Sequence, residues 1–388
     1  MIPVAERMQR IQPFYVMDLL ARARKLEAAG RSIIHMEIGE PDFDTPGPII
    51  KAGHAALAAG MTHYTPAKGL QSLREAIAGH YESTHGLGLD PARVIVTPGS
   101  SGALQLVMSV LINPGEKVLM ADPGYPCNRH FVELVDASPV AVPVGPETGY
   151  QLTADLVEQA WLEGTKAVLV ASPANPTGTL LTQSELRELH ACVTRLGGIL
   201  IVDEIYQGLV YDENGGTALA IADDLFVVNS FSKFFGMTGW RLGWLVAPEA
   251  FIDPLDRLAQ NIFLSAPTLS QHAALRAFDP EVMAILEERR IEFQRRRDFL
   301  LPALREIGFV IPIMPQGAFY LYAGCQGITD DSYRFAQILL QEAGVAVTPG
   351  KDFGFNQPEH HLRFAYTTNL SKLEEGVERI RQFTQRES

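Results

Sequence analysis

The sequence predicts an α/β protein: a large domain with a seven-stranded, mainly parallel sheet flanked by helices, and a smaller α+β domain. Two observations support this fold class. Between about residues 70 and 250, short β-branched runs alternate with stretches that have the apolar spacing of amphipathic helices. From about residue 280, one long helix is followed by short strands and two further helices. We therefore expect residues 1–45 to form an N-terminal arm and part of the small domain, 46–280 the large domain, and 281–388 the small C-terminal domain.

The N-terminal region predicts an arm, one helix and a link between the domains. Residues Met17–Ala29 have helical apolar spacing and end at Gly30, a usual stop for a helix. Residues 38–47 read IGEPDFDTPG. Because they are rich in turn residues and have no periodicity, we expect a domain boundary there.

The large domain is predicted from the alternation of strands with helices. The predicted strands are Val94–Thr97, Lys117–Ala121, Val140–Val144, Ala167–Ala171, Ile199–Asp203, Phe226–Asn229 and Leu242–Ala247. Helices are predicted between most of them, among them 101–112, 153–161 and 183–196. Thr182 and Glu185 form a capping box at the start of the last of these. Ligands of such sheets bind beyond the carboxyl ends of the strands, so the residues that follow each strand are the candidates for a site.

The C-terminal third predicts one long helix and a small α+β unit. The apolar residues of the helix share one face: Met283, Leu286, Phe293 and Leu300. Its EERR and RRR runs, at 287–290 and 295–297, are interpreted as a solvated surface. The alternative is a patch that binds anions, which the mixture of negative and positive charges disfavours. Short strands are predicted at Gly317–Tyr322, Val345–Thr348 and His361–Ala365, and Ser371 with Glu374 as a capping box for the last helix.

Composition and charge argue against several classes of protein. Hydrophobic residues make up 47% of the 388 residues and charged residues 20%, which excludes wholesale disorder. The net charge of −13 (32 − 45) argues against binding to nucleic acid or to anionic membrane surfaces. No apolar run reaches the roughly 18 residues of a membrane span. The N-terminus lacks the order of a signal peptide, so we expect a cytoplasmic protein.

The cysteines and histidines predict neither disulfides nor a metal site. Cys127, Cys192 and Cys325 are too few and too scattered for a disulfide framework, and they form no CxxC pair. The histidines show no metal-ligand spacing.

The segment after the sixth predicted strand, Ser230-Phe-Ser-Lys233, is the first candidate site. A lysine beyond a strand is usually a solvated charge. Lys233, however, lies among aromatic and apolar residues, where desolvation lowers the pKa of a lysine and lets it act as an imine-forming nucleophile or a proton shuttle. Arg241 either clamps a phosphate or forms an ordinary surface ion pair, and Ser230 adds a hydroxyl donor.

Polar residues also follow three other predicted strands. Asp203 ends an apolar strand, so its carboxylate is either a helix N-cap or a counter-ion to a cationic ring nitrogen. Tyr206 either packs or contacts the same ligand. Ser100 and Ser101 lie in a Gly-Ser-Ser-Gly turn before a helix, a place that favours an anion. Asn175 either stabilises its own turn or hydrogen-bonds a ligand oxygen.

Together and in this order, these segments resemble the class I/II aminotransferases of fold type I, in the aspartate aminotransferase superfamily, which depend on pyridoxal 5′-phosphate (PLP). The resemblance spans nearly the whole chain, from Gly39-Glu-Pro-Asp-Phe-Asp to His361-Leu-Arg363-Phe-Ala-Tyr. Its most specific motifs are Ser-x-Ser-Lys…Gly-Trp-Arg and Asn-Pro-Thr-Gly. It implies the fold type I architecture and transfer of an amino group between an L-amino acid and a 2-oxo acid, in a ping-pong reaction through pyridoxamine phosphate.

The resemblance implies roles for five residues around the cofactor ring. Lys233 would hold PLP covalently and then move a proton between substrate and cofactor. Asp203 would pair with the pyridinium nitrogen and keep the ring an electron sink. Tyr206 and Asn175 would hydrogen-bond the ring oxygen O3′, and Tyr125 would stack on the ring.

Further roles concern the phosphate and the substrate. The phosphate would be held by Ser100, Ser101, Ser230 and Arg241. Tyr64 would reach the phosphate of the partner subunit, which implies a homodimer with shared active sites. Arg363 would bind the α-carboxylate of the substrate with two hydrogen bonds, helped by the backbone at Gly39 and by Asn175.

The resemblance leaves the substrate side chain open. Some aspartate-using relatives hold the distal carboxylate with a lysine where this chain has Ser101, so dicarboxylate recognition would need Lys68 or Arg129 instead. Phe14 and Tyr15 are candidates to line the side-chain pocket. They favour an apolar or small substrate, unless they only pack the arm onto the body of the protein.

Other functions stay open beside transamination. PLP-dependent β-elimination, by a carbon–sulfur lyase, uses the same fold and the same lysine, so the sequence separates the two reactions poorly. A non-enzymatic PLP- or effector-binding module, as in transcription regulators, would come with a basic DNA-binding domain, for which this acidic chain shows no candidate. A decayed relative without cofactor is disfavoured by intact Lys233, Asp203 and Arg363.

Overall fold

The computed structural model describes residues 3–211 and 215–387. The strands are β1 (Ile34–His35), β2 (Val94–Thr97), β3 (Lys117–Asp122), β4 (Ser138–Pro143), β5 (Thr165–Ala171), β6 (Ile199–Asp203), β7 (Phe226–Ser230), β8 (Gly243–Val246), β9 (Tyr320–Gly324), β10 (Val345–Ala346), β11 (Thr348–Pro349) and β12 (His361–Ala365).

The α-helices are α1 (Tyr15–Ala28), α2 (Gly47–Ala58), α3 (Gln71–His85), α4 (Gly99–Leu111), α5 (Pro126–Leu134), α6 (Ala154–Ala160), α7 (Gln183–Arg195), α8 (Ile252–Ile262), α9 (Thr268–Ala274), α10 (Pro280–Ile307), α11 (Ser332–Ile338) and α12 (Leu370–Glu387). Among the described residues, none of the helices combines the length and the apolar composition needed to cross a membrane.

The central sheet has the predicted seven strands within the part of the chain that the structure describes. Their order is β2-β8-β7-β6-β5-β3-β4. Strands β3 to β7 run parallel to one another, whereas β8 lies antiparallel between β2 and β7. The sheet is therefore mainly parallel, as predicted, and the chain beyond β7 turns back into the sheet after a short loop that contains Lys233.

Two smaller sheets lie at the C-terminal side of the chain. Strands β11, β12 and β9 form an antiparallel sheet, and β1 pairs in parallel with β10. Between β1 and α2, residues 38–46 contain no helix or strand, which fits the predicted link.

All strands of the central sheet except the edge strand β4, which is largely exposed, are buried on both faces, as expected when helices cover a parallel sheet. Along β2, Val94 and Val96 belong to the apolar cluster on one face and Ile95 to the cluster on the other. A third cluster joins Leu19 of α1 to Leu300 of α10 and Phe364 of β12. The site described below lies between this third cluster and the edge of the central sheet.

One of the two predicted capping boxes is confirmed and the other is wrong. Thr182 and Glu185 exchange the expected hydrogen bonds at the start of α7, at 2.7 and 3.2 Å. Ser371, in contrast, lies inside α12, which begins at Leu370. The side chain of Asn369 accepts the backbone N–H of Lys372 at 2.9 Å and takes the place of the predicted cap.

The interpretation of the RRR run as a solvated surface holds for the exposed Arg295 but is wrong for the other two arginines. Arg296 and Arg297 are each only 2% exposed. Arg296 forms ion pairs with Asp42 at 2.7 Å and with Glu292 at 3.0 Å, and Arg297 donates to the carbonyl of Pro315 at 2.8 Å. Because Asp42 belongs to the link at 38–46, the buried Arg296 anchors that link onto α10.

Candidate active site

A cavity of about 280 Å³ opens at the carboxyl ends of the parallel strands. Its walls come from the loops after β2, β6 and β7, from the link, from α1 and from β12. It is lined by ten residues predicted for the site: Gly39, Ser100, Ser101, Tyr125, Asn175, Asp203, Tyr206, Lys233, Arg241 and Arg363. Residues from position 39 to position 363 are thus brought to one place.

One end of the cavity is suited to an anion. It is formed by the N-terminus of α4, whose backbone N–H groups are free to bind one, and by the guanidinium of Arg241. A Cβ atom on Gly99 would lie 2.8 Å from Nη2 of Arg241, and one on Gly243 would lie 2.7 Å from the carbonyl carbon of Gly99. These two glycines therefore allow the close approach of helix and guanidinium. Among the described residues no carboxylate pairs with Arg241, which argues against the surface ion pair.

Lys233 lies at the centre of the cavity. Its Nζ donates to the backbone carbonyl of Gly39 at 2.6 Å. Burial lowers the pKa of Lys233 to about 8, and the positive charges of Arg363 and Arg241 also lower it, against the opposing effects of Glu40 and Asp203. About a tenth of the amine is consequently neutral at pH 7, far more than for an unperturbed lysine with a pKa of about 10.4, and a nucleophile or proton carrier needs this neutral form.

Asp203 supplies a buried negative charge at the end of β6. Its side chain is 4% exposed, and burial raises its pKa to about 6, against the lowering effect of the Ile205 backbone N–H and of Lys233. The bond from Ile205 N–H, at 3.1 Å, shows that Asp203 stabilises its own turn. Since Asp203 also lines the cavity, a cationic ligand group placed there would stabilise its carboxylate.

Arg363 supplies a buried positive charge on β12. It is 5% exposed, and its two Nη groups donate to Asn175 Oδ1 at 3.0 Å, to the carbonyl of Glu37 at 2.6 Å and to Thr348 Oγ1 at 3.2 Å. Within the described residues its buried Nε has no hydrogen-bond partner. A buried cation with an unused donor at a cavity wall is suited to bind a carboxylate.

Two residues predicted for the site do not line the cavity. Ser230 is 1% exposed, and its hydroxyl donates to the carbonyl of Leu242 at 3.3 Å and accepts the backbone N–H of Ser232 at 3.0 Å. Ser232 lines the cavity in its place. Tyr64 lies outside the cavity with 81% of its surface exposed.

The wall on the α1 side is apolar. It includes Phe14, as predicted, together with Val16, Met17 and Leu20. Tyr15 does not line the cavity and instead packs edge-on against Tyr333, with ring centroids 5.0 Å apart. Lys68 and Arg129, the alternatives for a distal carboxylate, are also absent from its lining among the described residues.

Several residues of the cavity wall were not predicted from the sequence. These are Val16, Met17, Leu20, Ile38, Ser232, Tyr320, Thr348, Asp352 and Phe353, with Glu37 beside them. Thr348 ends the predicted strand Val345–Thr348 and Asp352 follows it, but no local motif marks either residue as part of a site. Ser232 could have been found, because it shares the Ser-x-Ser-Lys motif with Ser230.

The comparisons with known proteins agree with this geometry. The family model for aminotransferase class I and II matches residues 31–380. A (5-formylfuran-3-yl)methyl phosphate transaminase of Methanocaldococcus jannaschii is 37% identical over 383 residues, which cover 98% of this chain and 99% of that protein. A valine–pyruvate aminotransferase of Mycobacterium tuberculosis is 37% identical over 372 residues, 95% of this chain and 96% of that protein.

The likeness extends to solved structures. The crystal structure of an aminotransferase from Mycobacterium tuberculosis superimposes with a TM-score of 0.96, at 36% identity, and covers 100% of both chains. The aspartate aminotransferase of Thermus thermophilus with maleate superimposes with a TM-score of 0.92, at 33% identity, over 98% of this chain and 100% of that one. The chain therefore belongs to the class I and II aminotransferases, enzymes of fold type I that transfer amino groups and, as a family, use PLP.

Proposed function

We propose that this aminotransferase holds PLP at Lys233 and exchanges the amino group of L-amino acids with apolar side chains for the oxo group of a 2-oxo acid. The observation that supports this most directly is that a partly neutral amine, a buried carboxylate and a buried guanidinium line one cavity. Transamination needs one group of each kind.

The residues present fit PLP. The N-terminus of α4, with Ser100, Ser101 and Arg241, would hold the phosphate, and Asp203 would hold the positive charge on the ring nitrogen. Tyr206 and Asn175 would contact the ring oxygen, and Tyr125 would cover the ring. PLP, when bound, supplies an aldehyde group and an electron-withdrawing ring.

The protein groups then perform the remaining tasks. Arg363 binds and orients the α-carboxylate of the amino acid. The amine of Lys233 would move a proton between Cα of the amino acid and the cofactor carbon two bonds away, on the other side of the amino nitrogen, because a base with a pKa near neutrality can both accept and release a proton. Asp203 would keep the ring nitrogen charged, and the apolar wall would exclude water from the amine.

The substrate preference follows from the apolar wall. Phe14, Val16, Met17 and Leu20 offer no hydrogen-bond partner to a polar side chain. A distal carboxylate would find no free cation there among the described residues, because Arg363, Arg241 and Lys233 are already assigned. The Mycobacterium tuberculosis relative, named a valine–pyruvate aminotransferase, is in keeping with a donor of this class.

The functional unit is proposed to be a homodimer in which Tyr64 reaches the neighbouring site. Tyr64 follows α2, and this region presents three exposed apolar side chains: Ile50 and Leu57 of α2, and Met61 just beyond its end. Such a face is expected to be covered by a second copy of the chain.

The domain division at 45/46 and 280/281 is also proposed. The third apolar cluster supports it, since it joins Leu19 and residues 33–36 to residues 293–383 more than 250 positions away. A reducing, cytoplasmic location is proposed from the three cysteines, all of which are free.

The first experiment tests the cofactor. The protein is loaded with PLP, reduced with borohydride and digested, and the labelled peptide is identified by mass. We expect the label on Lys233 and no label in Lys233→Arg. The matched control Lys51→Arg, which changes an exposed lysine of α2, should label at Lys233 as the wild type does. Label on another lysine contradicts the proposal.

The second experiment separates transamination from β-elimination. Without an added oxo acid, an apolar amino acid should give oxo acid only up to the amount of enzyme sites, and addition of pyruvate or 2-oxoglutarate should make the reaction catalytic. A lyase would instead release pyruvate and ammonia from cystathionine continuously without any oxo acid.

A further inference from the structure

Tyr320 is a cavity residue that contacts several of the groups assigned above. It begins β9, is 1% exposed and lies against Tyr206, Arg363 and Gly39. We propose that Tyr320 is a positioning residue that fixes the Tyr206 hydroxyl towards the cofactor and the Arg363 guanidinium towards the substrate. The inference rests on the cofactor and substrate roles proposed for those two residues.

The hydroxyl of Tyr320 acts on Tyr206. The two hydroxyl oxygens are 2.7 Å apart, and both side chains are buried. Each hydroxyl carries one proton. If Tyr206 gives its proton to the ring oxygen, the proton between the two hydroxyls must come from Tyr320. The hydrogen bond that Tyr320 donates to the oxygen of Tyr206 strengthens the hydrogen bond that Tyr206 donates to the ring oxygen, because hydrogen bonds in a chain polarise one another.

The ring of Tyr320 acts on Arg363. The guanidinium carbon lies 4.3 Å from the ring centroid of Tyr320 and 4.9 Å from that of Phe353. These contacts hold the guanidinium through the aromatic faces and occupy none of its N–H donors. The Nε of Arg363 accordingly stays without a partner in the described residues and is available to a carboxylate.

The position of Tyr320 also explains why residue 39 is a glycine. A Cβ atom at Gly39 would lie 2.3 Å from the hydroxyl oxygen of Tyr320. Any side chain there would displace Tyr320 from both partners. The carbonyl of Gly39 in turn accepts the hydrogen bond from Lys233 at 2.6 Å. Tyr320 therefore links the residues that surround the cofactor to those that bind the substrate.

The test separates the hydroxyl from the ring. Tyr320→Phe removes only the hydroxyl. When PLP is bound at Lys233, its visible absorbance changes with pH, and the midpoint of that change should lie about 0.4–1 pH unit higher in Tyr320→Phe than in the wild type. The reason is that a weaker hydrogen-bond donor at the ring oxygen favours the protonated cofactor. The kcat should fall, while the KM for the amino donor stays within about twofold because the ring still supports Arg363.

A second variant, Tyr320→Leu, removes the ring as well. It should add an increase of about 2- to 30-fold in KM for the amino donor, the range expected from loss of a buried cation–π contact. Tyr322→Phe is the matched control, a tyrosine on the same strand whose ring stacks on His361 with centroids 4.7 Å apart. It should leave the midpoint, kcat and KM unchanged.

The outcomes distinguish this inference from the proposed function. A wild-type protein that takes no PLP label at Lys233 overturns the proposed function itself. If the wild type is labelled and Tyr320→Phe leaves the absorbance midpoint unchanged, only the role of the hydroxyl is overturned. If Tyr320→Leu binds the amino donor like Tyr320→Phe, the role of the ring is overturned.

Discussion

The carboxylate of Asp352 caps the helix that begins at Tyr15. It accepts the backbone N–H of Tyr15 at 2.8 Å and that of Val16 at 2.9 Å. The helix has no side-chain cap of its own, since the residue at its N-cap position is Phe14. A carboxylate that also lines the cavity thus holds the first turn of α1, which forms the apolar wall.

We expect Asp352→Ala to loosen that wall. The helix loses a cap worth about 0.5–2 kcal/mol, so the KM for apolar amino donors should rise by about 2- to 30-fold. Amide hydrogen exchange at residues 14–20 should accelerate in parallel. The control is Asp90→Ala, which removes a similar cap from an exposed turn at Ala92. Faster exchange at 14–20 with unchanged KM would show that the wall does not bind the substrate.

The low pKa of Lys233 predicts how the cofactor-free protein takes up PLP. Burial and two neighbouring arginines lower that pKa to about 8, and only the neutral amine attacks an aldehyde. The rate constant for uptake, followed by absorbance in stopped flow, should therefore rise with pH and level off above about pH 8. Nα-acetyl-lysine, whose only amine has a pKa of about 10.4, is the control, and its reaction rate should still be rising there. Identical profiles would contradict the assignment.

Arg363→Lys keeps the charge but loses the planar fork. We expect kcat/KM to fall by roughly 10- to 1,000-fold, a loss of about 1.5–4 kcal/mol of transition-state binding. The loss should be similar for every α-amino acid accepted and small for amines without a carboxylate. Arg305→Lys, a change on α10 at an arginine that bonds the carbonyl of Ile311, should be neutral. An effect confined to dicarboxylates would mean that Arg363 binds the substrate side chain.

Shared active sites predict complementation between two inactive variants. A mixed dimer of Tyr64→Ala with Lys233→Ala would place both changes in one site and leave the other intact. Equal amounts should recover about a quarter of the wild-type activity after subunit exchange. If mass spectrometry shows that the subunits have exchanged but no activity is recovered, Tyr64 does not contribute to the active site of the neighbouring subunit.

His35 predicts a pH dependence of stability. It lies 2.7 Å from Glu37 and 3.1 Å from Glu27 of α1, and these carboxylates raise its pKa to about 9. Because the folded pKa lies above the unfolded value of about 6.5, the contribution of the charged imidazole is complete below pH 6.5 and is lost as the pH rises through about 9. The free energy of unfolding, measured with urea, should fall over this interval, and less so in His35→Gln. His54→Gln, on the exposed side of α2, should behave like the wild type.

The parts of the structure that could be predicted from the sequence are those determined by residues close together in the chain. The bounds of β2, β6 and β12 match the predicted strands, because β-branched runs between turn residues mark them directly. The convergence of Asp203 and Lys233 followed from the rule that parallel strands end at one edge.

The parts that could not be predicted depend on partners far along the chain. Arg296 resembles a solvated charge until Asp42, 254 positions away, is seen beside it. The cap of α1 comes from Asp352, 337 positions away. Ser230 and Ser232 lie on either side of one residue, and only the backbone direction after β7 decides which faces the cavity.

The pairing of β1 with β10 has a consequence for the biosynthesis of the enzyme. Ile34 finds its partner in Val345, 311 residues later in synthesis (345 − 34). The central sheet, in contrast, is complete once β8 has left the ribosome, and domains fold as units during translation. The nascent chain therefore assembles Asp203, Lys233 and Arg241 well before Arg363 is made. A pause in translation after residue 280 would leave a chain that contains the residues proposed to bind the cofactor but not the arginine proposed to bind the amino acid.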